Sequence, residues 1–241
     1  DGGRCGPACR HLRAARPRRA RSGQVAVKIA RLVAGAVALF ARLVTAVRAE
    51  WGTHLPDARP RVYFANHASH GDFVLIWTVL PPSVRRNTRP VAGADYWRRD
   101  PIRRFIGRHV FNAVLVERDQ ERRIEDPIAQ MAAALDEGSS LILFPEGTRN
   151  LTEVPLMPFK SGLYRLALAR PGVELVPVWI ENLNRVMPKG EFVPIPLLCT
   201  VTMGTPRCSR NGIRQPVISR SATSTNCALN MVPSARPASV E

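Results

Sequence analysis

From residue 61 onward, short apolar runs rich in β-formers take turns with longer segments of helical periodicity, and that alternation restricts the fold more than any other feature. "RVYFA" (61–65), "RPVAGA" (89–94), "NAVLVER" (112–118), "SLILF" (140–144), "VELVPVWIE" (173–181) and "LLCTVTMG" (197–204) read as strands. Helices are expected over 70–80, closed by Pro81 and Pro82, and over 97–108, where basic residues crowd. Two more are expected over 124–138, with Gly138 at the C-terminal end, and over 159–170. Strands separated by helices form parallel pairs, so the fold class is α/β: a largely parallel sheet flanked by helices. At 241 residues this is one large domain or two small ones, and no internal repeat is present.

A further helical segment precedes this alternation. Residues 24–50 ("QVAVKIARLVAGAVALFARLVTAVRAE") read as one helix, but Lys28, Arg31 and Arg42 interrupt it. Its longest uncharged stretch, 32–41, is ten residues, whereas spanning a bilayer takes about twenty. The expectation is an amphipathic, membrane-associated helix lying in the interface; packing on the domain is the alternative, and one helix can do both. Charges inside the apolar region argue against a secretory signal.

The 35 Lys and Arg outnumber the 19 Asp and Glu, for a formal net charge of +16. Residues 1–22 hold seven Arg and almost no large apolar side chain, so they are expected to be a disordered basic leader. Residues 207–241, rich in Ser, Asn, Pro and Arg, show little periodicity and read as an irregular tail with the look of a frame-shifted end. A basic body suits an anionic partner. No zinc-finger spacing, RNA-binding aromatic motif or basic region feeding heptads is present, so an anionic lipid surface is favoured and nucleic acid is not expected. Five irregularly spaced cysteines argue against a disulfide framework. Cys5, Cys9 and His11 resemble half a metal site without a matching half, and no metal is expected.

The densest chemistry lies in "YFANHASHGDF" (63–73). Ser69 and Asp72 have the spacing of a helix capping box. That leaves His67 unexplained, because a polar ring just after a buried strand needs a partner. His67 and Asp72 are five positions apart, about 140° on a regular helix, so they would not share a face. If the helix begins near Ser69, His67 sits in the turn before it and Asp72 can reach back. A carboxylate that orients a histidine and stabilises its cation makes it a competent general base. His70 is the alternative base, two residues from Asp72. A second cluster, "LILFPEGTRN" (141–150), runs a buried strand into Glu146, Gly147, Thr148 and Arg149. Gly147 permits a sharp turn, and Arg149 offers a fork of donors suited to phosphate. Arg118 ends the strand "VLVER", and Lys160 stands in "PFKSG" near a helix start.

Together these segments resemble the glycerolipid acyltransferase family, the 1-acylglycerol-3-phosphate acyltransferases. "NHASHGD" matches its N-H-x4-D block and "FPEGTR" its third block, while "VLVER" and "VPVWI" (176–180) are similar to the second and fourth, in the family's order. The resemblance covers roughly 25–206, which makes 23–206 the expected acyltransferase domain. It implies that His67 is the general base and Asp72 its orienting carboxylate. It implies further that Arg118, Glu146, Gly147, Thr148 and Arg149, with Lys160 in support, receive the acceptor's glycerol phosphate. The implied reaction moves a fatty acyl group from acyl-CoA or acyl-carrier protein to a lysophospholipid, giving phosphatidic acid, with no cofactor and no acyl-enzyme, at the cytoplasmic face of the inner (plasma) membrane. The rival readings are the same chemistry on another lysolipid and a non-enzymatic membrane-binding protein. A hydrolase would need a nucleophile; Ser69 is only two residues from His67, and no G-x-S-x-G elbow exists.

Overall fold

The computed structural model describes residues 19–52, 55–119, 121, 123–152, 154–182 and 198–208, with side chains from residue 25 onward. The expected leader up to residue 18, the Cys5, Cys9 and His11 cluster, and the tail from 209 lie outside the described residues.

The sheet is built from β1 (Arg48–Trp51), β2 (Arg61–Ala65), β3 (Thr88–Gly93), β4 (Val114–Val116), β5 (Ser140–Leu143), β6 (Glu174–Glu181), β7 (Thr200–Met203) and β8 (Arg207–Cys208). Its order is β1-β7-β6-β2-β5-β3-β4, with β8 also on β6. The pairs among β6, β2, β5, β3 and β4 are all parallel, and β1 runs parallel to β7. Among the described residues, only β7 and β8 run antiparallel to their neighbour β6. The expected α/β class with a largely parallel sheet is therefore the observed one.

Strand β2 is buried along its whole length because helices cover both its faces. On one face Tyr63, Ala65, Val176 and Val178 pack under α1 (Arg19–Thr45), α2 (Asp72–Val79) and the turn of π-helix Ile106–Val110. On the other, Val62, Phe64 and Leu141 pack against α6 (Pro127–Asp136) and α7 (Gly162–Ala169). At the N-terminal end of β2, the buried Arg61 bonds Glu174 (2.6 Å) and Asp57 (3.1 Å), and Arg59 bridges the same two carboxylates.

Three boundaries differ from expectation. The N-terminal helix runs from Arg19 to Thr45, not over 24–50. Ala46 takes a left-handed φ of 41°, which an L-residue cannot propagate as helix, and Arg48–Trp51 becomes an edge strand on β7. The helix expected over 97–108 is broken. A short α4 (Ala94–Trp97) is followed by extended Asp100, whose carboxylate accepts from Arg103 N–H, and α5 (Pro101–Phe105) then leads into the π turn. Pro101 lacks an N–H and so opens a new helix instead of continuing the old one. Finally, α2 starts at Asp72, with Gly71 as its N-cap, after a turn at 69–71; a short α3 (Pro82–Arg85) follows it.

Candidate active site

Because β2, β3, β4 and β5 are mutually parallel, the loops that follow them open on one edge of the sheet, where open α/β sheets bind ligands. After β2, Asn66 clasps the neighbouring strand: its amide donates to the Ile180 carbonyl (3.0 Å) and accepts from the Ile180 N–H (2.9 Å). His67 follows at once. Its Nδ1 lies 2.8 Å from Asp72 Oδ2. That same oxygen accepts from the backbone N–H groups of Ala68 (2.7 Å) and Ser69 (2.8 Å).

Half of the expected capping box is therefore present. Asp72 reaches back to Ser69 N–H, but Ser69 Oγ accepts from Gly71 N–H rather than capping residue 72. Asp72 is 1 % exposed and the His67 side chain 17 %. The carboxylate orders the turn and holds His67 in one orientation, with Nδ1 as donor, which leaves Nε2 as the basic nitrogen. No described residue bonds Nε2. The imidazole stacks on Phe144, ring centroids 4.2 Å apart, which fixes its plane. His70 does not share this arrangement. It stacks on Tyr96 instead, and burial, with Arg149 and His67 nearby, lowers its pKa.

The loop after β5 brackets His67 from both sides. Glu146 Oε1 accepts from His67 N–H (2.8 Å), and Asn150 N–H donates to the His67 carbonyl (2.6 Å). The other Glu146 oxygen accepts from Met157 N–H at 3.1 Å. Glu146 therefore stands apart from the residues expected around a phosphate: it is 2 % exposed, and both its oxygens serve backbone amides. Burial raises its pKa, while the two amides and His67 pull it down. Gly147 has φ +72°, and a Cβ there would lie 2.8 Å from Lys160 Cδ, so glycine permits both the turn and the approach of the lysine.

His67 opens on a cavity of about 530 Å³. Its apolar wall includes Phe73, Val91, Trp97, Val116 and Phe144. Its polar wall carries Arg118, Gly147, Thr148, Arg149 and Lys160, so every expected site residue except the two buried carboxylates, Asp72 and Glu146, lines it. Two contributors escaped the sequence reading. Gly93 is one: a Cβ there would fall 2.6 Å from Arg118 Nε, so a bare backbone lets that guanidinium lie across the end of β3. Arg123 is the other; it lines the cavity and donates to the Glu117 carbonyl (3.3 Å). Its only signal in the sequence was a charged run, "ERDQERR", which by itself reads as solvated surface.

An oriented histidine–carboxylate pair facing four cations across a half-apolar cavity has the chemistry to accept a proton close to an anionic group. Residues 47–181 match the model of the family described as Acyltransferase, and the chain belongs to that family. It is 30 % identical over 138 residues to a 1-acyl-sn-glycerol-3-phosphate acyltransferase of Chlamydomonas reinhardtii, which covers 56 % of this chain and 38 % of that one. It is 29 % identical over 137 residues to a 1-acyl-sn-glycerol-3-phosphate acyltransferase of Haemophilus influenzae, covering 52 % and 51 %. The chain thus spans about half or less of these relatives' length. The crystal structure of the 1-acyl-sn-glycerophosphate acyltransferase of Thermotoga maritima superposes with a TM-score of 0.58 at 22 % identity, over 76 % of this chain and 72 % of that one, a likeness of fold.

Proposed function

We propose that the protein transfers a fatty acyl group from an acyl thioester to the free hydroxyl of 1-acylglycerol-3-phosphate, producing phosphatidic acid. The observation that carries this reading is His67 Nε2, unengaged by any described residue, on a cavity where Arg118, Arg123, Arg149 and Lys160 outnumber the two carboxylates, Asp95 and Glu117, that also line it. His67 takes the proton of the acceptor hydroxyl as its oxygen attacks the thioester carbonyl. Asp72 stabilises the imidazolium so formed. The tetrahedral intermediate collapses, the C–S bond breaks, and the proton passes to the leaving thiolate of coenzyme A or carrier protein. Arg118, Arg149 and Lys160, joined by Arg123, hold the acceptor phosphate through charge-assisted bonds. Glu146 acts through His67, as a positioning residue. Ser69 is no rival nucleophile, since His67 Nδ1 is committed to Asp72 and Ser69 is buried.

Among the described residues no helix is long and apolar enough to cross a membrane. The proposed mode of attachment is peripheral, at the cytoplasmic face of the inner membrane, through α1. Purified protein should be assayed against a panel of lysolipids with both kinds of donor. Transfer to 1-acylglycerol-3-phosphate that disappears in His67→Ala is the expected result. Transfer only to other acceptors would reassign the substrate, and transfer undiminished in His67→Ala would remove the mechanism.

A further inference from the structure

The segment 98–109 joins the pocket to α1. It follows directly on Tyr96 and Trp97, which line the cavity, and its π turn packs against α1 on the same face of the sheet. Arg98, Arg99, Arg104 and Arg108 are all exposed on it, and none pairs with a carboxylate among the described residues. No acidic residue occurs from 101 to 116. The nearby Asp100 is committed to Arg103, by its N–H bond and an ion pair of 3.1 Å, and the Arg103 guanidinium lies over Tyr96, 4.5 Å from the ring centroid. Among these cations Ile102 projects with 71 % of its surface exposed.

Four uncompensated guanidinium groups within eleven residues repel one another, and an apolar side chain among them gains nothing from water. Both features are satisfied by a surface that is anionic outside and apolar just beneath. A nucleic acid would meet the charge but leave Ile102 and the neighbouring apolar face of α1 uncovered.

We infer that residues 98–109 form a second membrane-contact element, in which Arg98, Arg99, Arg104 and Arg108 engage anionic lipid headgroups and Ile102 enters the acyl boundary beside α1. The inference rests on the reading that the acceptor is a membrane lipid, and it adds where the pocket sits: with 94–97 leading straight into this element, the mouth faces the headgroup layer.

The test is flotation of the full chain with vesicles of phosphatidylcholine alone or mixed with phosphatidylglycerol. Arg104→Ser/Arg108→Ser is compared with Arg165→Ser/Arg207→Ser, which removes equal charge from exposed positions outside this segment. Losing two surface cations should weaken binding to the anionic vesicles about 25-fold, roughly fivefold each. The control pair should change it little, and the difference should shrink as salt rises. Ile102→Ser should weaken binding to both vesicle types, and thermal midpoints check that every variant is folded. Equal losses for the two charge pairs, or none for Arg104→Ser/Arg108→Ser, would overturn this inference and leave the acyl-transfer reading untouched. A full chain that ignores anionic vesicles would overturn both this element and the membrane attachment, while acyl transfer to a short-chain soluble acceptor reports on the chemistry separately.

Discussion

Asp72 gathers three donors on one oxygen, His67 Nδ1 and the N–H groups of Ala68 and Ser69, so a single side chain both shapes the turn and orients the imidazole. Asp72→Asn separates the two tasks. The amide oxygen can still accept from the turn, but it carries no charge to stabilise imidazolium, so turnover should fall by roughly 10²–10⁴ while the fold persists. Asp72→Glu with unchanged turnover would reduce the residue to a helix cap. His67→Ala should lose activity on the same scale, read as kcat in a steady-state assay. Glu146→Gln has a different signature. Both carboxylate oxygens accept backbone N–H groups, so an amide NH₂ must face one donor with another. An unsatisfied buried donor costs about 1–3 kcal/mol, and the denaturation midpoint should drop together with kcat while the acceptor KM changes less. A KM effect alone would return Glu146 to the phosphate. The contact between His67 and Asp72 was legible from spacing because the turn that joins them is local. The contact of Glu146 with His67 was not, because 79 residues separate the two.

Element by element, legibility follows the range of the interactions. The interior strands were readable because burial on both faces leaves uninterrupted apolar runs. Strand β1 was not: "AVRAEW" continues a helical pattern, and what makes Arg48–Trp51 a strand is β7, some 150 residues away. The break at Pro101 was visible in the sequence and was overridden by the basic, helix-like composition around it. Three predictions belong at this scale. Gly147→Ala forces a side chain into φ +72° and against Lys160, at a cost of about 1–2 kcal/mol for the left-handed conformation alone. Acceptor KM should rise as Lys160 is displaced. Arg118→Ala and Arg149→Ala should also raise acceptor KM, each charge-assisted bond contributing about 1.5–3 kcal/mol, and an acceptor without phosphate should not register the loss. At the opposite end of β2, the Arg59 side chain and backbone N–H, aided by the Arg61 charge, hold Asp57 down to about 2. A depressed carboxylate contributes stability that is complete above its unfolded value of 3.8 and is lost as pH falls toward 2. The Asp57 side chain is 44 % exposed, so screening limits the effect to about 1 kcal/mol. Asp57→Asn should flatten acid unfolding across that window, and an unchanged acid limb would assign it to other groups.

For the molecule as a whole, α1 has its residue sizes reversed. The face packed on the sheet layer is made of small and medium side chains, with Ala30, Ala38, Ala41 and Thr45 buried and Val37 and Val44 packed beside them. The outward stripe is large: Val25, Ile29, Leu32, Leu39, Phe40 and Leu43 are exposed, with Leu32 at 77 %. A helix that only completed a core would turn the larger side chains inward. Lys28, Arg31 and Arg42 punctuate this stripe, and α1 is anchored by Arg42 donating to the Thr78 carbonyl (3.3 Å). On the proposed peripheral attachment, this outward face is the part of α1 that would enter lipid. Deleting 1–50 is a poor test, because it would strip β1 from the sheet along with the buried alanines. Leu32→Ser/Phe40→Ser/Leu43→Ser removes the outward face and spares every inward contact. Each large apolar side chain contributes about 1.5–3 kcal/mol when fully buried, and partial insertion still leaves several kcal/mol across the three positions. The triple variant should keep its thermal midpoint and its activity on a short-chain soluble acceptor, lose vesicle flotation, and lose activity on bilayer-embedded acceptor. The loss should persist at high salt, because apolar insertion is not screened. Flotation equal to that of the unaltered chain would show that the outward face of α1 serves some other surface than a membrane.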